Sequence, residues 1–504
     1  MARIISSEAH PRIVRSDRAA CRHAPGVRPR GGFGLLSWPE IPPWGYSVTH
    51  RQLCAATLAA LLACACGQQN QGGAQRAPYS STYAPPAAVA VLIRHATVLT
   101  GTGSRIDDGD VLIQDHKIAQ VGKSIAAPAG AVVVDAQGRW VTPGIIDPHS
   151  HLGVYASPEV WAMSDGNEAT SPTTPNVWSE HSVWPQDPGF EQARMGGVTS
   201  MMILPGSANL IGGRGTLLKN VPATTYQEMK FPGAPQVLKM ACGENPKRVY
   251  GSEHKFPSTW MGDVAGYREA FAKATEYKAK RDAAKKKGGS APDRDIGMET
   301  LADVLDGKIL VEMHCYRADQ MATMLDVAQE FKFKISAFHH AVEAYKIGPQ
   351  LKASDTCAVM WADWWGFKME AYDGIRENVA MVDAAGACAT IHSDDPIGIQ
   401  RLNQEAGKAM AAGWRAGLDI PRERAIRWIT ANPAKALGVA DRVGTLESGK
   451  DGDVVVWSED PFSVYSHADL VYIDGVQRYD RAHPAVQPES DFKLGILGRE
   501  EEMQ

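Results

Sequence analysis

The sequence predicts an α/β protein built on a (β/α)8 TIM-like barrel, with β-rich segments at both ends of the chain. Three observations predict it. Apolar β-like runs at 199–204, 236–241, 308–313, 333–338, 357–361 and 388–391 alternate with helix-like stretches such as 319–331 and 421–430, the pattern of a parallel barrel inside a ring of helices. Short β-like runs punctuated by Gly and Asp occupy 91–99, 109–113, 117–121 and 131–135, and the same texture returns at 444–457 and 470–476, as small antiparallel sheets require. The competing doubly wound sheet would place a Gly-rich phosphate turn after an early strand, and none is evident.

Composition agrees with a large globular enzyme-sized body. The chain has 504 residues, 44% of them hydrophobic and 22% charged, enough to bury a sizeable core. A formal charge of -5 over that length gives no broad electrostatic footprint for nucleic acid. Residues 263–287, ending in Lys285, Lys286 and Lys287, read as an exposed helix inserted in a loop. The eight cysteines lack disulfide-scaffold or CxxC spacing, and Cys242, Cys315, Cys357 and Cys388, set in apolar runs, read as reduced core residues.

The N-terminus reads as an address. Residues 53–63 form an apolar stretch too short for a permanent span but right for a signal-peptide core. It ends in Leu61-Leu62-Ala63-Cys64, which resembles a bacterial lipobox, with Cys66 a second candidate for lipidation. The expected organisation is an extension at 1–47, disordered or produced by a mis-assigned start near Val48. A signal peptide at 48–66 and a flexible Gln/Gly/Ser/Pro-rich linker at 67–88 follow. A first β-segment then covers 89–142, the barrel 143–437, a second β-segment 438–480 and a tail 481–504. Such a chain is exported, periplasmic or anchored by lipid on Cys64.

Chemistry gathers where strands are expected to end. His149 and His151, two apart on an extended segment after Pro148, project to one side and can grip one ion. Lys239 stands inside an apolar strand, where an ammonium needs a partner; carbamylation would make it a bridging carboxylate, and a salt bridge or surface position is the alternative. His314 and His340 each close a strand, and of the adjacent His339 and His340 only one should face the barrel axis. Taken singly, each is equally a hydrogen-bonded core histidine. Asp394 follows the last strand and could bind an ion and accept a proton from the water it activates, or simply cap a helix before Pro396. Tyr316, Arg317 and Arg214 are candidates for holding a substrate carboxylate. The segment 155–187, with Trp161, Trp178 and Trp184, reads as a loop that covers the pocket or packs on the barrel.

In order and spacing these residues resemble the amidohydrolase superfamily, in the branch of imidazolonepropionase-like and prolidase-like enzymes. The resemblance spans about 89–475 and includes the 141–151 motif Val-Thr-Pro-Gly-Ile-Ile-Asp-Pro-His-Ser-His, the lysine strand, His314, the 340–346 segment, Ser393 to Pro396, and the 430–437 and 444–453 segments. It implies a small composite β-sandwich domain closed by both chain ends. It also implies two divalent metal ions, for which the histidine-rich set favours zinc: one on His149, His151 and Asp394, the other on His314 and His340, bridged by carbamylated Lys239, with Glu244 as the fallback bridge. The implied reaction is hydrolysis of a C–N bond, in an amide or cyclic amide, by a metal-activated hydroxide, with Asp394 as the proton carrier. His314 is followed by Cys315-Tyr316-Arg317 where single-metal deaminases carry a glutamate, which disfavours deamination. The alternatives are a one-metal imidazolonepropionase-like or prolidase-like hydrolase and, outside enzymes, a catalytically dead metal-binding lipoprotein. The partner is a small-molecule substrate; self-association is left open.

Overall fold

The computed structural model describes residues 79–287 and 290–483. The expected extension, signal peptide, lipobox cysteine Cys64, most of the linker and the tail beyond 483 lie outside the described residues. Residues 79–83, the end of the expected tether, are docked on the body. Ser81 Oγ donates to Lys230 O at 2.6 Å, and the Tyr83 hydroxyl donates to Asp474 Oδ2 at 2.6 Å.

The described strands form two sheets. The first is built from both ends of the chain: β1 (Val91–Leu99), β2 (Arg105–Gln114), β3 (Lys117–Gly122), β4 (Val132–Asp135) and β5 (Trp140–Pro143) join three strands that come last in sequence. Between them the chain forms β6 (Ile145–Ser150), β7 (Val198–Ile203), β8 (Ile211–Lys219), β9 (Gln236–Ala241), β10 (Ile309–Cys315), β11 (Ile335–His340), β12 (Cys357–Met360) and β13 (Ala389–Ile391). The late strands are β14 (Val454–Trp457), β15 (Ala468–Ile473) and β16 (Val476–Asp480). In the first sheet β14 lies antiparallel to β5, with Val455 opposite Thr142, so the two chain ends meet there.

Strands β6 to β13 follow one another in spatial order as a nearly closed eight-stranded barrel sheet. The expectation of uniform β/α alternation needs one correction. β8 runs antiparallel to both β7 and β9, while the other neighbouring pairs are parallel. Its glycines hide it as a strand, yet the structure requires Gly213. With φ +120 there, a Cβ would sit 2.3 Å from Val177 O, where the 173–178 segment runs alongside the strand.

The seam between β13 and β6 is closed by a side chain. Asp147, fully buried, accepts hydrogen bonds from Ser393 Oγ at 2.5 Å and from the amides of His149 and Ser393, while Asp394 N donates to His149 O at 3.1 Å. Burial pushes the Asp147 carboxyl up to about 7.

Two further expectations change. The helix Trp260–Lys287 is packed against the barrel, because Asp263, Tyr267, Phe271 and Ala274 fall on one buried stripe at helical spacing. The four cysteines expected to be reduced form the disulfides Cys242–Cys315 and Cys357–Cys388. The reason is register: Ala241 pairs with His314 and Ala358 with Ala389, so each pair of cysteines lies opposite on neighbouring strands despite a wide separation in sequence.

Candidate metal centre

The C-terminal ends of the parallel strands converge on one rim, and β6, β9, β10, β11 and the segment after β13 each deliver a chemical group there. His149 Nε2 lies 3.2 Å from His151 Nε2 and 3.3 Å from Asp394 Oδ1; His151 Nε2 lies 3.2 Å from the same oxygen. A tetrahedral ion with bonds of about 2.0–2.1 Å holds its ligand atoms roughly 3.3 Å apart, so this triad matches a metal site in both chemistry and spacing. The second ring nitrogen fixes His151's orientation: Nδ1 lies 2.8 Å from Leu204 O and donates to it, which leaves the Nε2 lone pair turned inward.

His149 is oriented through a longer chain. Its Nδ1 lies 2.8 Å from His339 Nδ1, and His339 Nε2 makes a short contact with Glu312 Oε2. Only one proton order leaves His149 Nε2 free for a cation: His149 Nδ1–H donates to His339 Nδ1, and His339 Nε2–H donates to an ionised Glu312. Sequence alternation assigned the axis to only one of His339 and His340, yet both rings reach the cluster. His340 takes φ 65, and a left-handed residue at the strand end breaks the alternation of faces. Asp394 takes φ 55, so two candidate ligand positions carry unfavourable backbone.

Beside the triad lie His314, His340 and His392. Ring centroids of His314 and His340 are 4.5 Å apart, and those of His340 and His392 are 4.9 Å apart. Both nitrogens of His314, both of His392 and Nδ1 of His340 are buried with no hydrogen-bond partner among the described residues. Unsatisfied buried imidazoles are costly, and a cation is the partner this donor set suits. His149, His340 and His392 form a second set of potential ligands. His392 was overlooked in sequence although it precedes Asp394 by two residues.

Lys239 is fully buried and donates to Pro205 O at 3.0 Å. Burial pulls its ammonium down to about 8, against the opposing pull of Asp394 and Glu312. Burial, with the Lys239 charge, also holds His149, His314 and His340 well below the usual imidazole range, and His392 at about 3. These rings are therefore neutral and present lone pairs. Burial pushes the Asp394 carboxyl upward, but its hydrogen bond to His151 and the nearby His392 and Lys239 outweigh this and set it below the usual carboxylate range.

The structure separates the candidate substrate residues. Tyr316 stays at the site, buried, with its ring 4.6 Å from that of His314 and 5.3 Å from that of His340. Arg214 does not. Its guanidinium donates to Thr300 Oγ1 and to Gln236 Oε1 and lies over the Trp178 ring, because its strand position pairs with Leu238, outside the barrel. Arg317 is exposed and paired with Asp319 at 2.9 Å. Glu244, the fallback bridge, is instead paired with Lys368 at 3.2 Å.

Two cavities open on the rim and share Asp394. One of about 270 Å³ is bordered by His151, Tyr155, Glu159, Ser164 and Asp395, so part of the 155–187 segment does wall the site. The other, of about 420 Å³, is bordered by Tyr316, Trp361, Trp364, Trp365 and Phe367.

A barrel that gathers neutral imidazoles, a buried lysine and a carboxylate at the C-terminal rim defines the class of metal-using barrel hydrolases. The amidohydrolase family model matches residues 140–478, and the chain belongs to that family. It is thus a hydrolase acting on C–N bonds, in a family that depends on metal. The chain is 34% identical over 428 residues to amidohydrolase tasK of Hapsidospora irregularis, covering 77% of this chain but only 43% of that protein's length. Imidazolonepropionase of Mesorhizobium japonicum is 24% identical over 420 residues, covering 75% of this chain and 92% of the relative. The solved structure of an amidohydrolase from Thermotoga maritima matches with a TM-score of 0.72 and 39% identity, covering 78% of this chain and 100% of that one.

Proposed function

We propose that this chain hydrolyses an amide or cyclic amide with two divalent cations, zinc being the choice the histidine-rich set favours. The carrying observation is the His149, His151 and Asp394 triad, whose donor atoms stand 3.2–3.3 Å apart. His149, His151 and Asp394 would hold one ion, and His314 and His340 the other, with carbamylated Lys239 between them. Lys239 supports the bridge because burial lowers its ammonium to about 8, which favours the neutral amine that carbon dioxide requires. Bound there, such cations acidify water and polarise a carbonyl.

The remaining work falls to the chain. Asp394 turns Oδ1 to the two imidazoles and keeps Oδ2 3.8 Å from His340 Nδ1. Its carboxylate is ionised at neutral pH, so Oδ2 takes the proton from attacking water and returns it to the leaving nitrogen. The imidazolonepropionase relatives support including cyclic amides among the substrates. A one-ion reading has its own support, since His149 belongs to both candidate ligand sets and offers a single free nitrogen.

Metal analysis of the purified protein separates the readings: two equivalents per chain for the first, one for the second. Asp394→Asn is expected to lower kcat on any amide substrate by at least about a hundredfold with the fold intact; retained turnover would reject the assignment. Export with a lipid on Cys64 belongs to the same reading. The two disulfides support it, since such bonds persist in oxidising compartments, and radiolabelled palmitate incorporation that is lost in Cys64→Ser tests it.

A further inference from the structure

We infer that the substrate carries an aromatic ring, or a flat apolar group of that size, on one side of the scissile bond and no carboxylate on either side. The inference rests on the hydrolase reading for the position of the reacting bond and on the cavity walls for the rest. Because the two cavities share Asp394, a bond held at that residue sends one arm into each.

The larger arm enters a lobe walled almost wholly by rings. Trp361 stacks on His340 with centroids 4.3 Å apart, Trp364 stacks on Trp361 at 5.2 Å and 17°, and Phe367 stands edge-on to Trp361 at 5.7 Å. Trp364, Trp365 and Phe367 are left 39%, 52% and 55% exposed. Parallel and edge-on ring faces around an open space of about 420 Å³ are the arrangement that receives another ring.

The wall is held in place before any ligand arrives. Lys368 Nζ donates to Asn245 Oδ1 at 2.7 Å and pairs with Glu244 at 3.2 Å; Glu370 accepts from Glu244 N at 2.8 Å and from Gln320 Nε2 at 3.0 Å; Gly366 N donates to Ala371 O at 2.9 Å. The bonds of Lys368 and Glu370 pin the 361–371 segment to the start of the helix Glu244–Gly251 and to the helix Ala318–Phe331, and the Gly366 bond closes the segment on itself. A fixed wall spends no binding energy on ordering a loop.

Charge rules out the carboxylate. The two lobes present Glu159, Asp363, Asp394 and Asp395, and no lysine or arginine borders either one among the described residues. The neighbouring ammoniums are already paired: Lys408 with Asp363 at 2.9 Å and with Glu405 at 2.7 Å, and Lys368, 4.1 Å over the Tyr316 ring, with Glu244 and Asn245. Away from the ions, the carboxylate of a free dipeptide or an N-acyl amino acid therefore meets no lysine or arginine in either lobe among the described residues, whereas a neutral or cationic second arm suits the acidic lobe.

The test uses the full chain loaded with zinc and three hydroxamate probes: acetohydroxamate, phenylacetohydroxamate and its para-carboxy derivative. The phenyl probe is expected to bind roughly tenfold or more tighter than the acetyl probe, the preference a buried ring supplies, and the para-carboxylate to cancel the gain. Trp364→Ala and Phe367→Ala should each bring the phenyl-to-acetyl ratio within about threefold of unity, Trp364→Phe should keep it, and Met369→Ala, on the same segment but outside the lobe, should leave it unchanged. Equal binding of phenyl and acetyl probes, or a preference that survives both alanine variants, overturns the inference. The two readings fail separately. Amide turnover with no aromatic preference removes the ring site and keeps the hydrolase, while selective probe binding with no turnover of any amide does the reverse.

Discussion

At the scale of residues, the chain from Glu312 through His339 to His149 couples the site to a proton. Burial pushes the Glu312 carboxyl well above its usual range, so the metal-free chain favours a proton on Glu312 and the order of donors that blocks His149 Nε2. Holding a cation needs the opposite order. Cation binding is therefore expected to release a proton, and zinc affinity to rise with pH; chelator competition at pH 6 and 8 measures it. Glu312→Gln removes the ionisable end of the chain and should weaken zinc binding about 10- to 100-fold, as loss of a ligand-orienting partner does. Unchanged affinity would leave Glu312 with a packing role only. How much of this could be read beforehand depends on contiguity. His149, His151 and Asp394 sit in short motifs that announce themselves. His392 shares a motif with Asp394 and was hidden only by its better-known neighbour, whereas His339 was hidden by alternation, which the left-handed backbone at His340 breaks.

At the scale of elements, local signals found strands with side-chain alternation and missed what tertiary packing imposes. β9 matches its apolar run residue for residue, but β8 carries three glycines within Ile211–Lys219 and looks like a loop, until the neighbouring 173–178 segment explains Gly213 and Leu204, 2.6 Å from a Cβ at Gly215, explains another. Arg214 was assigned to substrate for the same reason: once its segment is a strand, its direction is fixed outward. The disulfides were likewise illegible, since only register places Cys242 against Cys315. That bond ties the end of the Lys239 strand to the residue after His314. Replacing both cysteines by Ser is expected to lower stability by about 2–4 kcal/mol, with the metal content falling alongside. Denaturation midpoints with and without zinc check this: a loss seen only without zinc would show that the ligands, rather than the cross-link, hold the two strands together.

At the scale of the whole molecule, the reversal of β8 has a structural consequence far from the metal rim. It carries Lys219, fully buried, to the end where Ser200 of β7 pairs with it. There its ammonium meets three carboxylates of the two-ended sheet, Asp451, Asp453 and Asp474, at 3.0–3.1 Å. Lys117 and Arg442 also bond Asp451, and Tyr83 donates to Asp474, so the cluster locks barrel, sheet and N-terminal segment together. Breaking a buried pair by removing one partner costs about 3–5 kcal/mol. Lys219→Met should therefore lower the unfolding free energy by an amount of that order, read from denaturant titration, while zinc binding at the opposite rim persists. A second change tests the cause. Burial, with Asp474 and Asp451 beside it, pushes Asp453 up to about 7 even against the pull of Lys219. An acid whose folded value is raised binds more protons folded than unfolded, so its contribution to stability is fully present below the unfolded value and is lost as pH rises from about 4 to about 7. Without the ammonium the loss on raising pH should deepen, and Asp453→Asn added to Lys219→Met should recover part of the stability and flatten the pH dependence. A double variant no more stable than Lys219→Met at pH 7 would mean that lost packing of the lysine stem, rather than stranded charge, accounts for the defect.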